Sequence, residues 1–205
     1  MKKALYLLPI VLFFLSNQIA AQQKEQAVRF ANGNFITDGN IQNQSFKKEN
    51  IKVALYGDNY FVLVKFAALP TKQQQQYLKK AGVQLDMYLP GNAYLATIKK
   101  DFEIRQVNQF AITSINAVPP VFKISKELIN YQPATSKNGG LVAISYFKSV
   151  SKNIVQKELK DAGAVIAITK YTTTDIIFIE ADKKTIDAIA ALPFVTSLNL
   201  QVIED

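Results

Sequence analysis

Short apolar runs separated by amphipathic stretches begin near residue 51 and continue to the end of the chain. Runs rich in β-branched and aromatic residues predict strands, whereas apolar residues three and four positions apart predict helices. The pattern predicts two successive sets of elements. The first set is strand 60–66, helix 71–81, strands 83–89 and 93–98, helix 101–109 and strand 112–118. The second set is strand 141–147, helix 151–162, strands 164–171 and 176–181, a helix around 186–190 and strand 194–200.

The two sets are copies of one unit. Residues 78–82 (LKKAG) recur as 159–163 (LKDAG), 81 positions later, and residues 112–116 (ITSIN) recur in similar form as 195–199 (VTSLN), 83 positions later. Two matches in the same order and at nearly the same offset indicate an internal repeat.

The order β-α-β-β-α-β predicts an α+β protein with two tandem ferredoxin-like modules, each with a four-stranded antiparallel sheet and both helices on one face. We place the modules at 51–122 and 141–205, joined by a polar linker at 123–140. Residues 22–50 form a polar leader that contributes little to a core and contains one hairpin signal, Asn32-Gly33.

The first 21 residues are typical of a secretory signal peptide. Lys2 and Lys3 precede an apolar run over 4–15, and small residues lead to Ala21, so we expect cleavage between Ala21 and Gln22. A membrane anchor is the alternative, but the run is shorter than the ~20 apolar residues of a spanning helix. We expect export to the periplasm, the cell surface or the extracellular medium, with no stable membrane anchor after cleavage.

The chain contains neither histidine nor cysteine. A Ser-His-Asp triad, a Cys-His dyad, a zinc site of His and Cys ligands and a disulfide therefore cannot be assembled from it. Carboxylate, lysine or tyrosine chemistry stays open. Ser125-Lys126 and Ser151-Lys152 lie at a linker and a helix start, where serine is typically a cap. We expect no catalytic residue, no metal and no cofactor.

A formal net charge of +8, or +6 without the signal peptide, raises the question of nucleic acid. The lysines are scattered along the chain, which is typical of solvated faces. RNA-recognition motifs share the predicted fold, but the third strands at 92–99 and 175–180 lack the Gly-aromatic pattern that stacks bases. We expect no nucleic-acid partner.

The strands of the second unit are apolar on both faces. Ile176 and Phe178 alternate with Ile177 and Ile179, whereas a sheet with one wet face alternates apolar and polar residues. An apolar open face predicts a cover, which could be the other module, a second copy of the chain or a separate catalytic domain. A module of ~65 residues is also marginally stable alone, which favours a partner.

Two motifs carry a family resemblance: the Ala-Gly helix end in 159–165 (LKDAGAV) and the Leu-Pro-x-Val step in 192–195 (LPFV). Together with the run 60–66 (YFVLVKF), they resemble the propeptide, or inhibitor-type, domains of exported bacterial subtilisin-like serine peptidases. The resemblance covers roughly residues 60–205.

This resemblance implies a non-catalytic pro-region that acts as an intramolecular chaperone and temporary inhibitor. Its partner would be a subtilisin-like catalytic domain, either following in a longer precursor or made separately. The open sheet face would pack on that domain, and the residues after the last strand would enter its cleft by strand addition. The implied docking residues are Ile166, Ile168, Ile176 and Phe178. The implied tail residues are Leu200, Gln201, Val202 and Ile203. The alternative function is a stand-alone exported interaction or peptidase-inhibitor module.

Overall fold

The structure is a computed structural model that describes residues 26–106, 109–130, 141–167 and 176–201. It is a mixed α+β fold built on antiparallel sheets. The first part contains β1 (Ala27–Phe30), β2 (Gly33–Ile36), a 3-10 helix (Lys48–Ala54), β3 (Leu55–Tyr56), β4 (Asn59–Phe66), α1 (Lys72–Lys80), β5 (Val83–Leu89), β6 (Ala93–Lys99), a 3-10 turn (Ile104–Gln106) and β7 (Ile112–Asn116). The second part contains α2 (Pro120–Lys123), α3 (Lys126–Ile129), β8 (Leu141–Tyr146), α4 (Lys152–Asp161), β9 (Val165–Ile166), β10 (Ile176–Glu180), α5 (Lys183–Ala191) and β11 (Val195–Gln201).

The helix and turn signals of the sequence are confirmed at several positions. Thr71 and Gln74 form a capping box at the start of α1. Gly82 and Gly163 follow α1 and α4 with φ angles of +85° and +100°, the left-handed conformation that glycine adopts without strain. The turn between β1 and β2 is made by Ala31 and Asn32, one position earlier than the predicted Asn32-Gly33, and Gly33 is the first residue of β2.

The two larger sheets have the same order of corresponding strands. The second sheet runs β11-β8-β10-β9, and in the first sheet β7, β4, β6 and β5 follow one another in the same way. All pairings between these strands are antiparallel. The first sheet has a fifth strand, because β3 pairs with the beginning of β4. The prediction of four strands is therefore wrong for the first sheet.

The predicted helix over 101–109 is also wrong, since the described part of this segment contains only the 3-10 turn Ile104–Gln106. Phe102 and Phe110 of this region are buried in the same cluster as Ile51 and Ala54, a contact between distant residues that local periodicity does not contain.

Residues of the N-terminal segment pack on the first sheet in place of the helix predicted over 101–109. Ile51 and Ala54 are buried in the same cluster as Leu78 of α1, and Ile41 and Phe46 pack against that cluster. The segment from residue 26 onward therefore contributes to a core, in contrast to the polar leader that we expected.

Asn40 joins this segment to the outer edge of β7. Its Nδ2 donates to the Ile115 carbonyl at 2.8 Å, and its Oδ1 accepts from the Ile115 amide at 3.0 Å. The Ile41 and Gln42 amides donate to the Thr113 carbonyl on the same edge at 3.1 and 3.0 Å, and together these bonds protect the edge from pairing with another chain.

The beginning of the predicted linker is packed as well. Ile124 forms a parallel bridge with Leu198 of β11, and Leu128 is buried in the core of the second unit. The rest of the linker, 131–140, lies outside the described residues.

Candidate docking face

The open face of the first sheet is covered by the second unit. Phe61, Leu63 and Leu95 point away from α1 and are at most 4 % exposed. They belong to one apolar cluster with residues from β8, α4, α5 and β11. The cover of this face is therefore provided within the chain.

The contact is made by one end of the second unit and not by its sheet face. Phe147 follows β8 and Phe194 precedes β11, and their ring centroids lie 4.9 and 6.4 Å from that of Phe61. The Tyr56 ring meets Phe194 edge-on, with the centroids 4.8 Å apart. Aromatic pairs of this geometry add stability beyond the area they bury. The two sheets do not pack face to face.

Polar groups also join the two units. The Tyr56 hydroxyl donates to Oε1 of Glu158 on α4 at 3.0 Å. Burial, followed by the bond to the Glu158 carboxylate, raises the pKa of Tyr56. Thr97 donates to Asp86 at 2.7 Å, which leaves the Thr97 oxygen to accept from the Ser149 hydroxyl at 3.0 Å.

The open face of the second sheet has no such cover in the described part of the chain. The face opposite α4 and α5 carries the half-buried Ile176 and Phe178 of β10, together with Val165, which is 62 % exposed. Ser197 and Asn199 of β11 lie on the same face and bond to each other. An apolar centre with a polar border is typical of a protein-binding surface. We call these five residues the second open face.

The predicted docking residues divide between the two sides of this sheet. Ile176 and Phe178 lie on the second open face. Ile166 pairs with Ile179, which is fully buried under the helices, so Ile166 lies on the opposite face. Our placement of Ile166 with Ile176 is therefore wrong; the residue that β9 adds to the open face is Val165. Ile168 lies outside the described residues.

The predicted tail overlaps β11. Leu200 and Gln201 are the last residues of this strand, opposite Val142 and Leu141 of β8, and Leu200 packs against the core. Neither residue is free to enter a cleft, so only the residues after Gln201 could do so. Val202 and Ile203 lie outside the described residues, as do Ala21 and Gln22 at the predicted signal cleavage site. Across the described ranges, no helix is long and apolar enough to cross a membrane.

The serines weighed as candidate nucleophiles occupy helix starts. Ser125 caps α3 by accepting from the Leu128 amide at 3.3 Å. Ser151 stands at the N-cap position of α4, although its side chain makes no capping bond. In both cases the position is typical of a structural role.

Lys123 is a residue that the sequence did not single out. It ends α2, is 6 % exposed, and donates from Nζ to the Leu192 carbonyl at 2.8 Å. Desolvation by burial lowers its pKa from 10.5 to about 8. A lysine beside three apolar residues, Val121, Phe122 and Ile124, was a signal for burial.

The family model of a domain of unknown function, DUF8729, matches residues 29–120. The match begins in β1 and ends at the first residue of α2. The matched region therefore contains most of the β1–β2 hairpin and the whole first sheet, but not the second sheet. No curated protein and no solved structure matches the chain.

Proposed function

We propose that the chain is the non-catalytic pro-region of an exported subtilisin-like serine endopeptidase. In this role it assists the folding of the catalytic domain and blocks the cleft until it is removed by cleavage. The observation that carries the proposal is the second open face, an apolar sheet surface without a cover in the described ranges, in a chain that starts with a signal-like segment.

The strand order supports the fold on which this function rests. In both sheets the fourth strand of the unit lies beside the first, followed by the third and the second. This is the order of a ferredoxin-like module, and we propose that both units are versions of it, the first with its second helix replaced by the N-terminal segment.

The two units then have different tasks. The open face of the first sheet is occupied by Phe147 and Phe194, so it cannot receive a catalytic domain without separation of the units. We assign docking to the second unit and a supporting role to the first. The pocket side chains and backbone that hold a product-like tail would be supplied by the peptidase.

The test uses the purified chain and a separately refolded subtilisin-type catalytic domain. We expect inhibition of peptide hydrolysis and a higher yield of refolded peptidase when the chain is present. Absence of both effects against a panel of such domains would reject the function.

Two variants link inhibition to the second open face. Phe178→Asp places a charge at its centre and should raise the inhibition constant at least ~10-fold. Ile154→Asp is the matched control, because Ile154 is 44 % exposed on α4, away from this face. If Phe178→Asp fails to fold, Val165→Asp replaces it, since Val165 is the more exposed residue. Equal inhibition by the docking-face and control variants would contradict the assignment.

The open face of the first sheet is buried within the chain, which favours a second candidate function. This candidate is a stand-alone exported inhibitor or interaction module. Such a module would inhibit a peptidase added in trans but would not increase its refolding yield. The refolding measurement therefore separates the two candidates.

A further inference from the structure

A small cavity lies where the two units and their connection meet. The first unit contributes Phe61, Leu95 and Val118, and the second contributes Phe147, Pro193, Val195 and Thr196, with Lys123 between them. Its volume is about 10 Å³, which is about the minimum needed to hold one water molecule.

Two polar groups of the lining have unused hydrogen-bonding capacity. The Lys123 ammonium group has three N–H donors, and one of them is used by the Leu192 carbonyl. The Thr196 hydroxyl is buried and has no hydrogen-bond partner among the described residues. No carboxylate in the described part of the chain forms an ion pair with Lys123.

Leaving these groups unpaired is costly. A buried ammonium group normally has a counter-charge or a full set of acceptors, and a buried hydroxyl without a partner loses its bonds to water. A small occupant in the cavity would repair both deficits at once. The rest of the lining is apolar, so the occupant would be held by these two side chains.

We propose that the cavity binds one water molecule between the Lys123 ammonium group and the Thr196 hydroxyl. Lys123 belongs to the connection and Thr196 to the second unit, while Phe61, Leu95 and Val118 of the first unit line the cavity. The occupant thus links the connection to the second unit through hydrogen bonds, at the place where the first unit packs against both.

Diffraction from crystals of the full chain tests occupancy directly. We expect a density peak within hydrogen-bonding distance of both side chains. Crystals grown with bromide in place of chloride check the identity of the occupant, since a water molecule gives no anomalous peak and an anomalous peak at this position would overturn the proposal. An empty cavity at a resolution that shows other ordered waters would overturn the proposal.

Thr196→Val gives an independent test because the sign of its effect depends on occupancy. If the cavity is occupied, the variant removes a partner of the bound water molecule, and the melting temperature should fall by about 2–4 °C. If it is empty, the variant removes an unpaired hydroxyl and leaves the melting temperature unchanged or higher. Ser114→Ala is the control, since Ser114 has a buried unpaired hydroxyl that does not line this cavity.

Discussion

Lys123 shows how a single buried charge can be tolerated between two units. Its Nζ donates to the carbonyl of Leu192, the C-cap residue that follows α5. The carbonyl end of a helix carries partial negative charge, which stabilises a nearby cation. Desolvation nevertheless dominates and lowers the pKa of Lys123 to about 8.

This pKa predicts a rise in stability at alkaline pH. The value falls from 10.5 in the unfolded chain to about 8 in the folded one, so the unfolded chain binds the proton more tightly. Between pH 7.5 and 9.5 the free energy of unfolding should therefore increase by about 2 kcal/mol. Lys123→Met should remove this increase, as measured by chemical denaturation at the two pH values.

Lys126→Met is the control for this measurement, because Lys126 is exposed on the neighbouring helix. The control should retain the increase. An identical pH dependence for the wild type and Lys123→Met would contradict the assignment of the shift to Lys123.

Asn40 predicts a large effect from a polar side chain. Asn40→Ala leaves the Ile115 amide and carbonyl of β7 without their partner, so we expect a loss of about 2–4 kcal/mol in unfolding free energy. Asn43→Ala, three residues away and exposed, should cost less than about 1 kcal/mol. Equal losses in urea denaturation would mean that the edge of β7 is satisfied in another way.

At the scale of elements, the N-terminal hairpin depends on a close approach to the turn between β5 and β6. The Arg29 amide donates to the Pro90 carbonyl at 3.4 Å. Gly91 has a φ angle of +100°, and a Cβ atom on it would lie 2.6 Å from the Ala27 carbonyl oxygen. Glycine is needed here both for the backbone conformation and for the space.

Gly91→Ala should therefore detach the hairpin. We expect faster amide hydrogen exchange in β1 and a clear fall in melting temperature. Gly57→Ala is a matched control: Gly57 also has a positive φ angle, +58°, but a Cβ atom there meets nothing within 4 Å. The control should show only the smaller cost of backbone strain, and protected β1 amides in Gly91→Ala would argue against the contact.

The elements also show where sequence patterns have limits. Helix α1 was predictable, because Thr71, Gln74 and Gly82 supply local signals for both of its ends. The segment after β6 carries no such signals, and its fold depends on Ile51 and Phe46, which are far away in sequence. A local pattern does not contain that information.

At the scale of the molecule, the two units share one core cluster. Phe61 and Leu63 of the first sheet lie in the same cluster as Ile144 and Leu159 of the second unit. Small modules bury too little apolar surface to be stable alone. We therefore expect the chain to unfold in one cooperative transition.

Phe194→Ala should weaken this coupling. Phe194 is fully buried and contacts both Tyr56 and Phe61, so its truncation should cost about 3–5 kcal/mol. We also expect the calorimetric transition to broaden or split. Ile154→Ala, at a 44 % exposed position of the same unit, is the control, and a single sharp transition in both variants would contradict the coupling.

The repeat, the positions of most strands, the caps of α1 and the two-sided apolar character of the strands can be predicted from the sequence alone. These features depend on residues close together in the chain, where periodicity and turn chemistry act directly. Three further features are visible only in the folded chain: which open face is covered, which side of the sheet Ile166 occupies, and how Lys123 is buried. Those outcomes depend on strand register and on contacts between distant residues: a shift of one residue moves a side chain to the other face, and only the packed end of the second unit brings Phe147 and Phe194 to Phe61.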